Sequence, residues 1–354
     1  MFARHALRRF VQSVPVLLLL TLVLFWALKL IPGDVALVMA GERATPERVA
    51  YIRSSLHLDD PWWIQYGSYL QRLLFEGDFG HSLFHDRSIG ELFAWAIPAT
   101  VELASAALLV AIPVGLALGV ISAVARRTWW DRLASFIALT GVSLPIFWLA
   151  LLLMWLFSLK LGWLPTSGRL SDEILFDPAT DAVFRMYSLD GLWRGMTGQG
   201  WDVFLSSIRY LVLPAVALST IPMAHICRMT RSAMLDVLQQ DYIRTARAKG
   251  VTQVSVILKH AARNAALPVV TVLFLQAGAL FGGAVITETM FAWPGLGKLL
   301  VESIGSRDFP MVQSGTLFVG AVFVFFNLLG DLAVGWLDPR TKQGKAGGSS
   351  GGAR

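Results

Sequence analysis

Apolar positions fall in six long runs along the chain, at about 10–30, 97–124, 133–159, 207–228, 266–290 and 312–337. Each run can cross a bilayer, because a hydrocarbon core of about 30 Å needs roughly 20 apolar residues in a helix. The pattern predicts an all-α, polytopic membrane protein with six transmembrane helices. Residues 1–30 form an N-terminal anchor, 31–96 a loop region outside the membrane, and 97–340 the main transmembrane domain. That domain includes a long polar loop at 228–265, and 341–354 follows as a flexible tail of linker composition (GKAGGSSGGAR from Gly344). The first run follows Arg4, Arg8 and Arg9, as in a secretory signal. Its apolar stretch from Phe10 to Leu28 exceeds the roughly 7–15 residues of a signal core, so a retained anchor is expected. Pro113, Pro145, Pro214 and Pro222 interrupt apolar runs and are expected to kink their helices.

Charge then orients the spans. Arg126, Arg127 and Arg132 follow the second run. Arg228, Arg231, Arg244, Arg247, Lys249, Lys259 and Arg263 follow the fourth, against the acids Asp236 and Asp241; Arg340 and Lys342 follow the sixth. The alternate loops are acidic: Asp34, Glu42, Glu47, Asp59, Asp60, Glu76, Asp78, Asp86 and Glu91 in the first, and Asp172, Glu173, Asp177, Asp181, Asp190 and Asp202 in 161–206. Lys and Arg near spans resist translocation, so both termini and the basic loops are expected in the cytoplasm. In the first outer loop, Thr45 and Pro46 predict the N-cap and first residue of a short helix at 46–56. Trp62, Trp63, Tyr66 and Tyr69 suit an interfacial aromatic belt.

Composition agrees with the runs. Charged residues are 15% of the chain, against about 25% in soluble domains, and hydrophobic residues are 55%. The net charge of +6 belongs to the membrane-flanking loops and implies no nucleic acid. A single cysteine, Cys227, excludes an internal disulfide framework and any multi-cysteine metal site. The G-x-x-x-x-G-K-[ST], H-E-x-x-H and G-x-S-x-G motifs are missing, so no ATP-binding P-loop, catalytic zinc, cofactor or hydrolase site is expected in this chain. His81 and His85 lie four apart, but Phe79-Gly80 and Asp86-Arg87 beside them read as loop. No internal repeat is visible, which argues against an inverted-repeat carrier. Polar residues inside the spans are costly. Glu102, Glu288, Asn327 and Asp331 are of this kind; Glu288, Asn327 and Asp331 are candidates to line a translocation path, against the plainer reading of interfacial or capping groups.

The most informative stretch lies in the 228–265 loop. Tyr242, Ile243, Arg244, Thr245, Ala246, Arg247, Ala248 and Lys249 form a short segment with small side chains between basic ones, and Gly250 follows as a natural helix C-cap. Small residues let a helix backbone approach a partner closely, and the bases can pair with acids on it. A helix resting on lipid headgroups would want a bulkier apolar face than Tyr242 and Ile243 provide, so docking to protein is the better reading.

Tyr242-Ile-Arg-Thr-Ala-Arg-Ala-Lys-Gly250 with His260-Ala-Ala-Arg-Asn-Ala-Ala-Leu-Pro268 resembles the cytoplasmic loop of ABC importer permeases, in particular their dipeptide/oligopeptide/nickel branch. Ile31-Pro-Gly-Asp34, Met39-Ala-Gly-Glu-Arg43, Gly77-Asp-Phe-Gly80, Leu144-Pro-Ile-Phe-Trp148 and the segment from Thr287 to Gly297 (TETMFAWPGLG) extend the resemblance over nearly the whole chain. Of the general E-A-A-x-x-x-G pattern, Ala246 and Gly250 match, while Arg244 and Thr245 replace the Glu and first Ala, as in the peptide branch. The resemblance implies a type I ABC importer permease fold in the bacterial inner membrane, with a periplasmic region at 31–96 and no enzymatic activity of its own. Its implied partners are a second permease subunit, two ATPase subunits, a periplasmic substrate-binding protein and a dipeptide or short peptide. It also implies that Tyr242 to Gly250 couples ATP hydrolysis to the pore. An ion-coupled secondary carrier built on Glu288 and Asp331, an accessory membrane protein, and a related permease for nickel or haem are the alternatives.

Overall fold

The computed structural model describes residues 2–30, 35–40, 45–55, 58–82 and 84–337. Residues 31–34 and 41–44, His57, Arg340, Lys342 and the tail lie outside the described residues.

The described chain is almost entirely helical. In order, α1 is Phe2–Lys29, α2 Val35–Ala40, α3 Pro46–Ser55 and α4 Trp62–Gln71. A two-rung hairpin, β1 His81–Ser82 with β2 Arg87–Ser88, leads into α5, Ile89–Val124. Then come α6 Trp129–Ser143, α7 Ile146–Leu153, α8 Tyr187–Met196, α9 Asp202–Leu238, α10 Asp241–Ala248, α11 Gln253–Ser255, α12 Ala262–Met290, α13 Leu296–Gly305 and α14 Phe309–Leu337. The expected cap at Thr45 is present: its hydroxyl accepts from the Arg48 N–H at 3.2 Å. Ser88 caps α5 in the same way, accepting from Glu91 N–H at 3.2 Å.

Five stretches are long and apolar enough to cross a membrane: Leu7–Ala27, Ile89–Val124, Asp202–Leu238, Gln253–Phe281 and Phe309–Leu337. The remaining expected run, 133–159, is divided. α6 and the helix from Ile146 to Lys160 meet at 106°. The cause is Pro145, which has no N–H to give and holds Leu144 extended at ψ 130°. The other prolines in the spans lie inside continuous helices.

α5 and α9 form the centre and pack along much of their length. α12 lies against α9 and α14, α6 against α5 and α9, and α1 along α14. The shared core is built from small side chains: Ala99, Ala104 and Ala107 of α5 face Ala215 of α9 and Ala284 of α12, around Leu103, Leu218 and Trp293. Lipid tails are as apolar as leucine, so close backbone approach and dispersion hold such helices together rather than water exclusion. Large apolar side chains point outward instead, as with Leu19, Leu109 and Phe136.

α9 continues ten residues beyond the expected end of its span at 228. The extension is amphipathic, with Thr230, Ala233 and Met234 inward and Arg228, Ser232 and Asp236 outward. The bundle therefore has two distinct ends. One holds the start of α1, the turn at 125–128, the end of α9 and α10. The other holds α2 to α4, the hairpin, α8 and the segment joining α12 to α14.

Candidate functional site

Helix α10 hangs from α9 by a two-residue connection, Gln239-Gln240. Gln240 is extended at ψ 148° and serves as N-cap, while Asp241 in the first turn complements the helix dipole. At the other end Gly250 takes φ +77°, a conformation that disfavours any side chain. There the Gly250 N–H donates to Arg247 C=O at 3.0 Å and the Val251 N–H to Ala246 C=O at 3.2 Å. This is the double bond pattern of a Schellman termination, which satisfies two carbonyls that would otherwise be bare.

One face of α10 is seated on the bundle. Ile243 is fully buried in a cluster with Ala123 of α5, Ala233 and Met234 of α9, and Val256, Ala261, Ala265 and Val269 leading into and along α12. Ala246 and Val251 pack around this cluster. The Tyr242 hydroxyl accepts from Asn264 Nδ2 at 2.8 Å. Asp241, Arg244, Thr245, Arg247, Ala248 and Lys249 remain exposed. Ala246 is one of the small side chains expected to admit a partner, but the helical turn directs it back toward the cluster. The outward surface is made by Asp241, Arg244, Thr245, Ala248 and Lys249: two bases, one of them paired with Asp241 at 3.6 Å, beside two small side chains.

The polar residues of the spans sort differently. Glu288 is completely buried, accepts from Thr100 Oγ1 at 2.7 Å and from the Lys298 N–H at 2.9 Å, and is closed in by Gly295 and Gly297. A Cβ at Gly295 would come within 2.3 Å of its carboxylate. The Thr287–Gly297 motif thus folds as a lock: Trp293 Nε1 donates to Ala99 C=O at 2.8 Å, and Phe291 C=O accepts from Gly168 N–H at 3.0 Å. Asn327 donates to Phe323 C=O of its own helix at 3.1 Å, and Asp331 pairs with Arg9 of α1 at 3.1 Å. Asn327 and Asp331 share a face of α14, far along the bundle from Glu288, so the three do not converge.

Three polar constellations went unseen in the sequence. Glu102 of α5 pairs with Arg169 from the 161–186 loop, and both are buried. Glu102 also accepts from the Ser188 N–H at 2.6 Å, while the Arg169 guanidinium lies 3.9 Å from the Tyr187 ring centre and 5.1 Å from that of Trp293. Burial pushes the Tyr187 hydroxyl up from its ordinary value, and the adjacent Arg169 charge opposes that rise. His225 of α9 meets Gln276 of α12 at 3.0 Å. Ser122, Asp131 and Arg231 meet at the α10 end of the bundle. The available signal was general: a charge inside a span must find an opposite charge, but nothing in the sequence says which.

Comparison with known proteins decides what this scaffold is. The model of the binding-protein-dependent transport system inner membrane component matches residues 115–343, and that of its N-terminal part matches residues 1–104. The chain belongs to this family. As a member of it, the chain is a multi-pass permease subunit of an inner membrane. Over 338 residues it is 46% identical to a dipeptide transport system permease protein of Alkalihalophilus pseudofirmus, covering 96% of this chain and 99% of the relative. The Escherichia coli K12 protein of the same description is 44% identical over 340 residues, covering 96% and 98%. A di/tripeptide transport system permease protein of Pseudomonas aeruginosa is 44% identical over 336 residues, covering 95% and 97%.

Proposed function

We propose that this permease imports dipeptides or short peptides, driven by ATP hydrolysis on partner subunits that reach it through α10. The observation that carries the reading is the seating of α10. A short helix with a rigid termination is keyed by Ile243 to α5, α9 and α12 at once, and presents Arg244, Thr245, Ala248 and Lys249 outward. A push on that surface is delivered to the three central helices together. The peptide substrate is supported by relatives described as dipeptide and di/tripeptide permeases over essentially their whole lengths. A second permease, two ATPases and a periplasmic binding protein complete the machine in this reading, with the acidic loops facing that binding protein. The ion-coupled alternative loses ground because Glu288 is enclosed by hydrogen bonds and glycine backbone, and Asp331 is held by Arg9.

Reconstitution in vesicles with those partners tests the function. Labelled dipeptide uptake should require ATP and the binding protein and should persist after the proton gradient is collapsed. Glu288→Gln should keep most of it, since the amide oxygen still accepts from Thr100 and only the Lys298 N–H loses its acceptor. Uptake that follows the proton gradient and disappears in Glu288→Gln would return the reading to an ion-coupled carrier.

The orientation carries its own expectation. The basic loops support a cytoplasmic α10 end, so single cysteines at Ala125 and Ala179, in a Cys227→Ser background, should label from opposite sides of the membrane. Labelling of both from one side defeats this topology.

A further inference from the structure

We infer that Asp131, with Ser122 and Arg231, is a positioning clamp that carries the motion of α10 into α6; the inference rests on α10 being the coupling element. The apolar seat of α10 reaches α5, α9 and α12, but no buried residue of α6 belongs to it. What joins α6 to that seat is polar. Asp131, in the first turn of α6, accepts from Ser122 of α5 through Oδ1 and from the Arg127 N–H through Oδ2 at 3.0 Å. Arg231 of α9 donates to the same carboxylate through Nε at 3.2 Å and Nη2 at 3.2 Å, and through Nε to Ser122 Oγ at 2.8 Å. Asp131 is buried while Arg231 is partly exposed, so these charge-assisted bonds are only partly shielded from the screening that weakens surface pairs.

The geometry makes α5, α6 and α9 one body. Between Ser122 and Asp131 the chain turns on Arg127, which is held at φ +67° while its N–H is bound to Asp131. Close backbone approach locks α5 to α9 just above the clamp: a Cβ at Gly119 would lie 2.6 Å from Thr230 Cβ and 2.8 Å from Cys227 C=O. Higher up, Gly141 of α6 sits against Thr220 C=O of α9. Arg231 itself lies on the amphipathic extension of α9, between the membrane part of that helix and Met234, which packs in the α10 seat. A displacement of α10 tilts this extension, and through Arg231 and Asp131 the base of α6 must follow. α6 then ends at the Pro145 bend, where the direction of the chain changes by 106°. Neutralising Asp131 leaves the apolar seat of α10 and the higher contacts of α6 with α9 intact while loosening the base of α6.

The test uses the full transporter with its ATPases and binding protein. Asp131→Asn and Arg231→Gln should assemble with the ATPases and keep basal hydrolysis, while substrate-stimulated hydrolysis and uptake fall about tenfold or more, the scale of a typical coupling free energy. The double variant should be no worse than either single one, because both remove one shared interaction. Arg231→Lys, which keeps a donor and a charge, should recover part of the stimulation. Wild-type stimulation in Asp131→Asn overturns the clamp, as does loss of the ATPases from that variant, which would make the site one of docking. Additive losses in the double variant also overturn it. If Ala248→Glu on α10 has no effect either, the coupling role of α10 fails instead, so the two failures are distinguishable.

Discussion

Ala248→Glu should reach the membrane at normal abundance and lose transport together with its ATPase subunits. Ala248 is on the outward face of α10, beside Arg244 and Lys249 and clear of the seat formed by Ile243. A glutamate there adds bulk where close approach is needed and places a negative charge opposite the acids that the bases are expected to meet. Like-charge juxtaposition at an interface costs several kcal/mol, and about 1.4 kcal/mol is already tenfold in affinity. The spans do not include this residue, so insertion should be unaffected. Ala246→Glu should produce the same loss by another route. Ala246 packs toward the apolar cluster, and a carboxylate there unseats the helix from the bundle rather than repelling a partner. Gly250→Val should act with Ala246→Glu, because φ +77° is strained for a branched residue and the Schellman termination would open. Membrane abundance, pull-down of the ATPases and substrate-stimulated hydrolysis separate the routes. Normal coupling in all three variants would show that α10 is not the ATPase contact.

The second large effect is expected at the opposite end of the bundle. Removing either member of the buried Glu102–Arg169 pair leaves the other charge without a partner, which typically costs about 3–5 kcal/mol. Glu102→Ala also strips the Ser188 N–H of its acceptor, and Arg169→Ala removes the guanidinium held between the Tyr187 and Trp293 rings. Either change should release the 161–200 segment from α5. It should appear as faster proteolysis within that segment, a lower melting temperature in detergent and reduced uptake, with the ATPases still bound. Replacing both at once, as in Glu102→Leu with Arg169→Met, should be milder than either single change, because no charge is then stranded. Unchanged proteolysis and melting in both single variants would mean that the pair does not hold the segment.

Much was readable from the chain alone, because membrane proteins obey strong one-dimensional rules. Backbone groups in lipid must be satisfied within the segment, so long apolar runs become helices; five of the six runs did so as single helices, several of them longer than their apolar stretch. Local capping chemistry was equally legible: Thr45, Pro46 and Gly250 mark helix ends that the structure contains, since such signals act over four residues and need no distant partner. Tertiary structure decided what depends on contacts distant in sequence. Asp131 finds Arg231 a hundred residues away and Glu102 finds Arg169 sixty-seven away. Ala246 turns inward because Ile243 anchors the helix on three others, and the two halves of the third run, parted by Pro145 at 106°, share α9 but add α5 on one side of the bend and α12 on the other. Hydropathy and capping are properties of neighbours along the chain, whereas a buried charge is defined by whichever group folding brings to it.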